Sequence, residues 1–343
     1  MTTTTTPAKV WLRFFLFGYF VLMALWIISL TSPVPYGDLT RIGRLSEREF
    51  GWRDPPPKVD PVYLASTPIE QADVMVVGDS FSMTHRWQSV LAKAGYRVST
   101  SYWGQYGESL CGDFSQWVHD SGFKGKLVII ESVERLLDMR MRYSERCKDG
   151  KTIFPYSAKA EPLIEPDETV PAFAPNWEVQ YMTGVVTYYH TWKAKNSPVD
   201  TYFDRDTWVR KVPDGCKFFS HRQCDRMPFF QEDEDNGPLT SDTLARMKNF
   251  TAAHSTIPLL WMVVPNKTTV YLKPDFSKDF ESGFRDAKLG PDLYAFTREK
   301  HTQIRDFYFS NDTHMSMHGQ LALGERMLAA VREVMPTPPS KSP

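Results

Sequence analysis

Surplus charge is what this chain most plainly lacks: 40 lysines and arginines face 41 acidic residues over 343 positions, a formal net charge of −1. Such a balance creates no field to gather polyanions, so nucleic-acid partners are excluded. Cysteine is scarce as well. The four present, Cys111, Cys147, Cys216 and Cys224, form no C-x-x-C pair, which argues against a zinc site. The acidic run at 232–235 lacks the spacing of a calcium loop and reads as solvated surface. No metal and no cofactor is expected. Between about 143 and 237 there is neither a repeat nor a low-complexity tract, only decaying periodicity among proline, charged and aromatic residues.

What is present begins with one uncharged apolar stretch at 14–30, close to the about 20 residues needed to cross a bilayer. Lys9 and Arg13 precede it, which favours a cytoplasmic N-terminus and translocation of the rest. A cleaved secretory signal fits less well, because the apolar core exceeds roughly 7–15 residues and Thr31-Ser32-Pro33-Val34-Pro35 is a poor cleavage site. The reading is therefore a cytoplasmic segment 1–9, a signal anchor 10–31, a proline-rich spacer 32–70 holding the domain off the membrane, in which Phe50 and Trp52 could still pack on the domain for cover, a domain 71–335, and a disordered tail 336–343. All four cysteines lie on the translocated side, where an oxidising compartment lets them pair. A short hairpin closed by Cys216 and Cys224 would leave Cys111 with Cys147, although four cysteines permit three pairings.

Within the domain, apolar runs and breakers predict a strand at 74–77, a helix at 85–94 stopped by Gly95, and a strand at 96–101, a βαβ unit. A helix at 108–119 and a fully apolar strand at 127–130 follow. After an insertion of hairpins and loops at about 143–237, regular signals return as a helix at 241–254, a strand at 257–264 and a final helix at 321–334. The alternation predicts an α/β fold, three layers around a parallel sheet.

The chemistry concentrates at the end of the first strand, where Gly78-Asp79-Ser80 delivers a serine onto a turn before a helix. A serine hydroxyl needs a neighbouring base. Of eight histidines, only His314 and His318 sit in a loop after a late strand, which a parallel sheet brings to the same carboxyl edge. Asp312 can orient His314, completing a Ser80/His314/Asp312 triad, and the backbone N–H groups of Ser80 and Gly104 are candidates for an oxyanion hole. Ser82 is the runner-up nucleophile, though capping the following helix suits it better. Alone, the tripeptide could equally be an Asx-type turn. Tyr102, Trp103 and Tyr106 around Gly104 could offer flat faces to sugar rings or could pack the sheet. Lys267 and Tyr271 could contact a polymer or be plain surface.

These pieces resemble the SGNH (GDSL-like) hydrolase superfamily, and within it the alginate and cellulose O-acetyltransferase group (AlgX/AlgJ-like). The matching motifs are Gly78-Asp79-Ser80-Phe81-Ser82, Ile129-Ile130-Glu131-Ser132-Val133-Glu134-Arg135, Val264-Pro265-Asn266-Lys267, and Asp312-Thr313-His314 with Gly319 five residues on. The resemblance implies Ser80 as nucleophile, His314 as base and Asp312 as orienting acid, with His318 at a variable position. It implies a periplasmic domain anchored in a bacterial inner membrane, a polysaccharide acceptor, and a membrane acyltransferase as acetyl-donor partner. Ordinary superfamily esterases carry an asparagine where this chain has Glu131, Ser132, Glu134 and Arg135, and Arg135 could instead hold substrate or form a structural ion pair with Glu134. An acetyl-esterase using the same triad, or a non-catalytic polysaccharide-binding protein, are the competing expectations.

Overall fold

A computed structural model describes residues 6–148, 175–177, 179–204 and 206–339. Parts of the expected cytoplasmic segment, of the insertion and of the tail lie outside these residues. Four parallel strands form the main sheet: β1 (Val74–Gly78), β2 (Val98–Tyr102), β3 (Leu127–Val133) and a strand at Leu259–Val264, in the order β2, β1, β3, then Leu259–Val264. β1 and β3 are buried along their whole length, as apolar runs in the middle of a parallel sheet must be. Alternate residues face opposite ways. Met75 and Val77 join one apolar core, with Phe114, Trp117 and Trp261, while Val74 and Val76 join the other, with Phe81, Trp87 and Val331.

This order places the site. The chain leaves β1 for β2 on one side, then returns to β3 on the other, so the loops after β1 and β3 diverge at the carboxyl edge and leave a crevice. Helix Ser80–Met83 starts in that crevice. The expected helix at 108–119 is shorter and later, Phe114–Asp120, after a single 3-10 turn at Trp103–Tyr106. The last helix starts earlier than its apolar period indicates, at Met317, because the Ser316 hydroxyl caps it by accepting from the Gly319 N–H.

Two regions differ from expectation. The 143–237 segment contains a three-stranded antiparallel sheet, β4 (Thr201–Phe203), β5 (Thr207–Lys211) and β6 (Arg226–Phe230), but also a 14-residue helix, Thr183–Asn196, that the sequence pattern does not announce. The 32–70 segment is no free spacer. It folds into helices Asp38–Gly43 and Glu47–Phe50 and buries Leu39, Leu45, Phe50 and Trp52 against the domain, because those side chains have apolar area to hide. Among the described residues one helix, Pro7–Leu30, is long and apolar enough to span a membrane.

Cys111 pairs with Cys147 and Cys216 with Cys224, enclosing sequence separations of 36 and 8 residues. Loop-closure entropy then predicts that Cys111→Ser/Cys147→Ser costs about 4 kcal/mol in urea unfolding and Cys216→Ser/Cys224→Ser about 1 kcal/mol less. The reverse order would show that strain, not loop size, governs both bonds.

Candidate active site

The turn after β1 is built by a buried charge network. Asp79 accepts hydrogen bonds from the Phe81 N–H at 3.1 Å and the Val133 N–H at 2.8 Å, and pairs with Arg140 at 2.8 Å. Glu131 accepts from the Asp79 N–H and the Ser82 hydroxyl, both at 2.8 Å. Burial alone would raise Asp79, but Arg140 overrides it and keeps the carboxylate charged. Burial, then the Asp79 charge, pushes Glu131 well above the ordinary carboxylate range, so Glu131 stays neutral beside it. Gly78 is required here: a Cβ would meet the Ser82 hydroxyl at 2.5 Å and a Glu131 oxygen at 2.7 Å.

Ser82 is therefore neither a nucleophile nor a cap. It is buried, donates to Glu131 and accepts from the Trp87 ring N–H at 3.1 Å; the cap of helix Ser80–Met83 is Asp79. Ser80 stands exposed as the first residue of that helix. Its Oγ lies 2.7 Å from His314 Nε2, and His314 Nδ1 lies 2.6 Å from Asp312 Oδ1. The three side chains meet across 234 residues of sequence. Burial would lower His314, yet the Asp312 charge and hydrogen bond raise it above 6.5; reciprocally, His314 outweighs burial and holds Asp312 far below its ordinary range.

The Asp312 loop is stitched in place from the N-terminal segment, which sequence reasoning missed. The Asp38 N–H donates to Asp312 Oδ2 at 2.9 Å, and the Leu39 N–H donates to the Asn311 carbonyl at 3.0 Å. Glu47 is the hub of this clasp, accepting from the N–H groups of Tyr36 and Gly37, the Thr40 hydroxyl and the Asn311 amide. Its only sequence signal is a buried apolar set, Leu39, Leu45 and Phe50, around it. Burial pushes Glu47 up to about 7 despite these four donors.

Other expected contact residues are structural. Lys267 is buried, with Nζ donating to the carbonyls of Pro228, Ser310 and Asp312 at 2.9–3.1 Å, so it braces the triad loop rather than touching a polymer; burial lowers it to about 7. Arg135 pairs with Asp233 at 3.2 Å, not with Glu134, and lies over the Phe230 ring. Trp103 is fully buried, its ring N–H donating to the Glu131 carbonyl at 2.6 Å, and Tyr106 is buried too. The Tyr271 hydroxyl is turned inward to accept from the Tyr308 N–H at 3.4 Å. His318 sits in the first turn of the last helix, 3.3 Å from the Pro55 carbonyl and outside the triad. Gly104 is exposed, and half-buried Tyr102 folds its ring over it. Parallel register pairs Gly78 with Tyr102, so the turns that carry Ser80 and Gly104 leave the sheet at the same edge.

Asp38, Asp312 and His314 each offer one ligand atom within 4.8 Å of the others. A cation there would have to split the 2.6 Å Asp312–His314 bond that already satisfies both groups.

The Glu47 carboxyl titrates near 4.5 unfolded and near 7 folded, so stability drains away as pH rises from about 4.5 through 7. Glu47→Gln escapes this loss, since Asn311 Oδ1 has no partner among the described residues and the amide can turn over to accept from the new NH₂. The stability gap between Glu47→Gln and the parent should shift in favour of Gln across that window, by up to about 3 kcal/mol, in denaturant titrations at fixed pH values. A gap that does not move with pH would show the carboxyl to be ionised throughout. No protein-family model, curated protein or solved structure matches the chain.

Proposed function

We propose that the chain is an SGNH-type, three-layer α/β O-acetyltransferase, anchored in a bacterial inner membrane with its domain in the periplasm, that passes acetyl through Ser80 to hydroxyls of an exopolysaccharide. The observation that carries this reading is the continuous relay from Ser80 Oγ to His314 to Asp312, at 2.7 and 2.6 Å, opening to solvent at Ser80. Support comes also from the order of the motifs, and from the apolar helix Pro7–Leu30 ahead of the domain.

In the first half-reaction His314 Nε2 takes the Ser80 proton as Oγ attacks the carbonyl carbon of an acetyl ester. The N–H of Ser80, unpaired as the first of its helix, and that of neighbouring Gly104 face the oxyanion. Collapse breaks the bond to the donor oxygen, which leaves with the proton from His314, and acetyl-Ser80 remains. In the second half a sugar hydroxyl gives its proton to His314, attacks acetyl-Ser80, and departs as the ester while Ser80 recovers its proton. Asp312 stabilises the imidazolium in both halves. A multi-spanning membrane acyltransferase is the partner that would present acetyl, since acetyl thioesters are cytoplasmic. Trp103, Tyr106, Arg135, Lys267 and Tyr271 belong to the scaffold, and half-buried Tyr102, its ring over exposed Gly104, is the aromatic face nearest a sugar ring at this edge.

Three outcomes are expected. Peptide mapping after incubation of the full chain with an activated acetyl ester finds acetyl on Ser80, and none on the Ser80→Ala protein. Added glucan or uronan oligomers become acetylated in mass spectra; free acetate with no acetylated oligomer would instead identify an esterase. Because Asp312 holds His314 above 6.5, the histidine is protonated and inactive below that value, so kcat/KM climbs with pH through a midpoint above 6.5. Asp312→Asn lowers that midpoint and cuts the plateau by about 10⁴-fold.

A further inference from the structure

Helix Thr183–Asn196 is folded inside out. Its buried residues are small, Gly184, Thr187, Thr191 and Ala194, whereas Tyr188, Tyr189 and Trp192 stand 67%, 58% and 60% exposed. A helix that faced water would turn its large apolar side chains inward. Tyrosine and tryptophan pair an apolar ring with a polar tip, which suits a boundary that is greasy on one side and wet on the other.

The place of this helix in the fold says which boundary. Its small face starts against the end of the N-terminal helix, so closely that a Cβ at Gly184 would lie 2.4 Å from the Ser29 Cα and 2.8 Å from the Ile28 carbonyl, and continues onto the domain, where Ala194 packs with Leu45 and Phe50. The Asn176 N–H donates to the Leu30 carbonyl at 2.7 Å. Ser29 is the buried residue of helix Pro7–Leu30; among the described residues, the remainder of that helix has no such cover from the domain. A 24-residue helix is about 36 Å long against a hydrocarbon layer of about 30 Å, so Ser29 falls at the layer's far edge and Gly184 shares its depth. The neighbouring rings then lie among lipid headgroups.

Charge agrees. Beside Tyr188 and Trp192, a cavity of about 520 Å³ opens between the end of the N-terminal helix and the 46–49 segment, and its charged lining is Arg48, Lys195 and Arg222 against Glu49. Lys195 and Arg222 share the single Glu49 carboxylate, at 3.0 and 3.6 Å, so this lining is net positive where lipid phosphates would sit.

We propose that the outer face of helix Thr183–Asn196 is seated in the headgroup layer of an anionic bilayer, so that the domain docks against the membrane its N-terminal helix crosses. The proposal rests on the membrane-anchor reading above and extends it from a tether to a fixed seat. It requires no change in the triad.

All four native cysteines are disulfide-bonded, so an introduced thiol can be labelled selectively. Spin labels go on Tyr188→Cys and Trp192→Cys, on Leu22→Cys inside the apolar helix, and on exposed Glu299→Cys as a water reference, each in the full chain in vesicles of phosphatidylglycerol and phosphatidylethanolamine. Power saturation compares collisions with oxygen, which concentrates in lipid, and with a nickel chelate, which stays in water. At 188 and 192 the oxygen-to-nickel ratio should exceed that at 299 several-fold and fall below that at 22. A lipid signature at 22 with a water signature at 188 and 192 overturns the docking and leaves the anchor standing. A water signature at 22 as well removes both. Protection from both reagents at 188 and 192 means that protein covers the face, and that also overturns the proposal.

Discussion

One carboxylate, that of Asp312, has to be held still from two directions for the rest of the site to exist. One oxygen accepts from the His314 ring and backbone, and the other from the Asp38 N–H. Behind it, Lys267 grips the carbonyls of Ser310 and Asp312 while Glu47 gathers four donors, one of them Asn311. Loops of polar residues are costly to order, and here the ordering energy comes from buried groups that tie that loop to the segments around it. The relay is therefore a product of the whole chain rather than of the local Asp-Thr-His motif.

The serine side is secured by a different device. Asp79 and Glu131 sit within one buried cluster, and the burial that penalises both charges is relieved for Asp79 by Arg140, while Glu131 takes the proton. A single cation thus supports a charged acid and a neutral one, and together they fix the backbone from which Ser80 projects. Removing Arg140 would strand a buried charge, the costly half of any buried ion pair.

How much of this the sequence disclosed follows from how local each signal is. The strands at 74–78, 127–133 and 259–264 are apolar runs bounded by breakers, and Ser80, Asp312 and His314 stand in short motifs at strand and helix ends, so all were legible. Lys267 and Arg135 were not, because a charged side chain read alone looks like surface, and only their partners, three carbonyls and Asp233, draw them inside. In the 32–70 segment the prolines read as a spacer while Phe50 and Trp52 called for cover, which they have; its two short helices and the burial of Leu39 and Leu45 were not legible. Helix Thr183–Asn196 was invisible for a more interesting reason: its packing face is glycine, threonine and alanine, which carry almost no apolar period.

The short connection between the N-terminal helix and the Asp312 clasp carries a consequence of scale. From Leu30 to Asp38 there are eight residues, a reach of at most about 28 Å even if fully stretched. With Pro7–Leu30 in a bilayer, the Ser80 hydroxyl cannot roam; it is held within a thin slab of solvent, and under the proposed function an acyl donor confined to the same sheet of lipid would meet it by searching two dimensions instead of three.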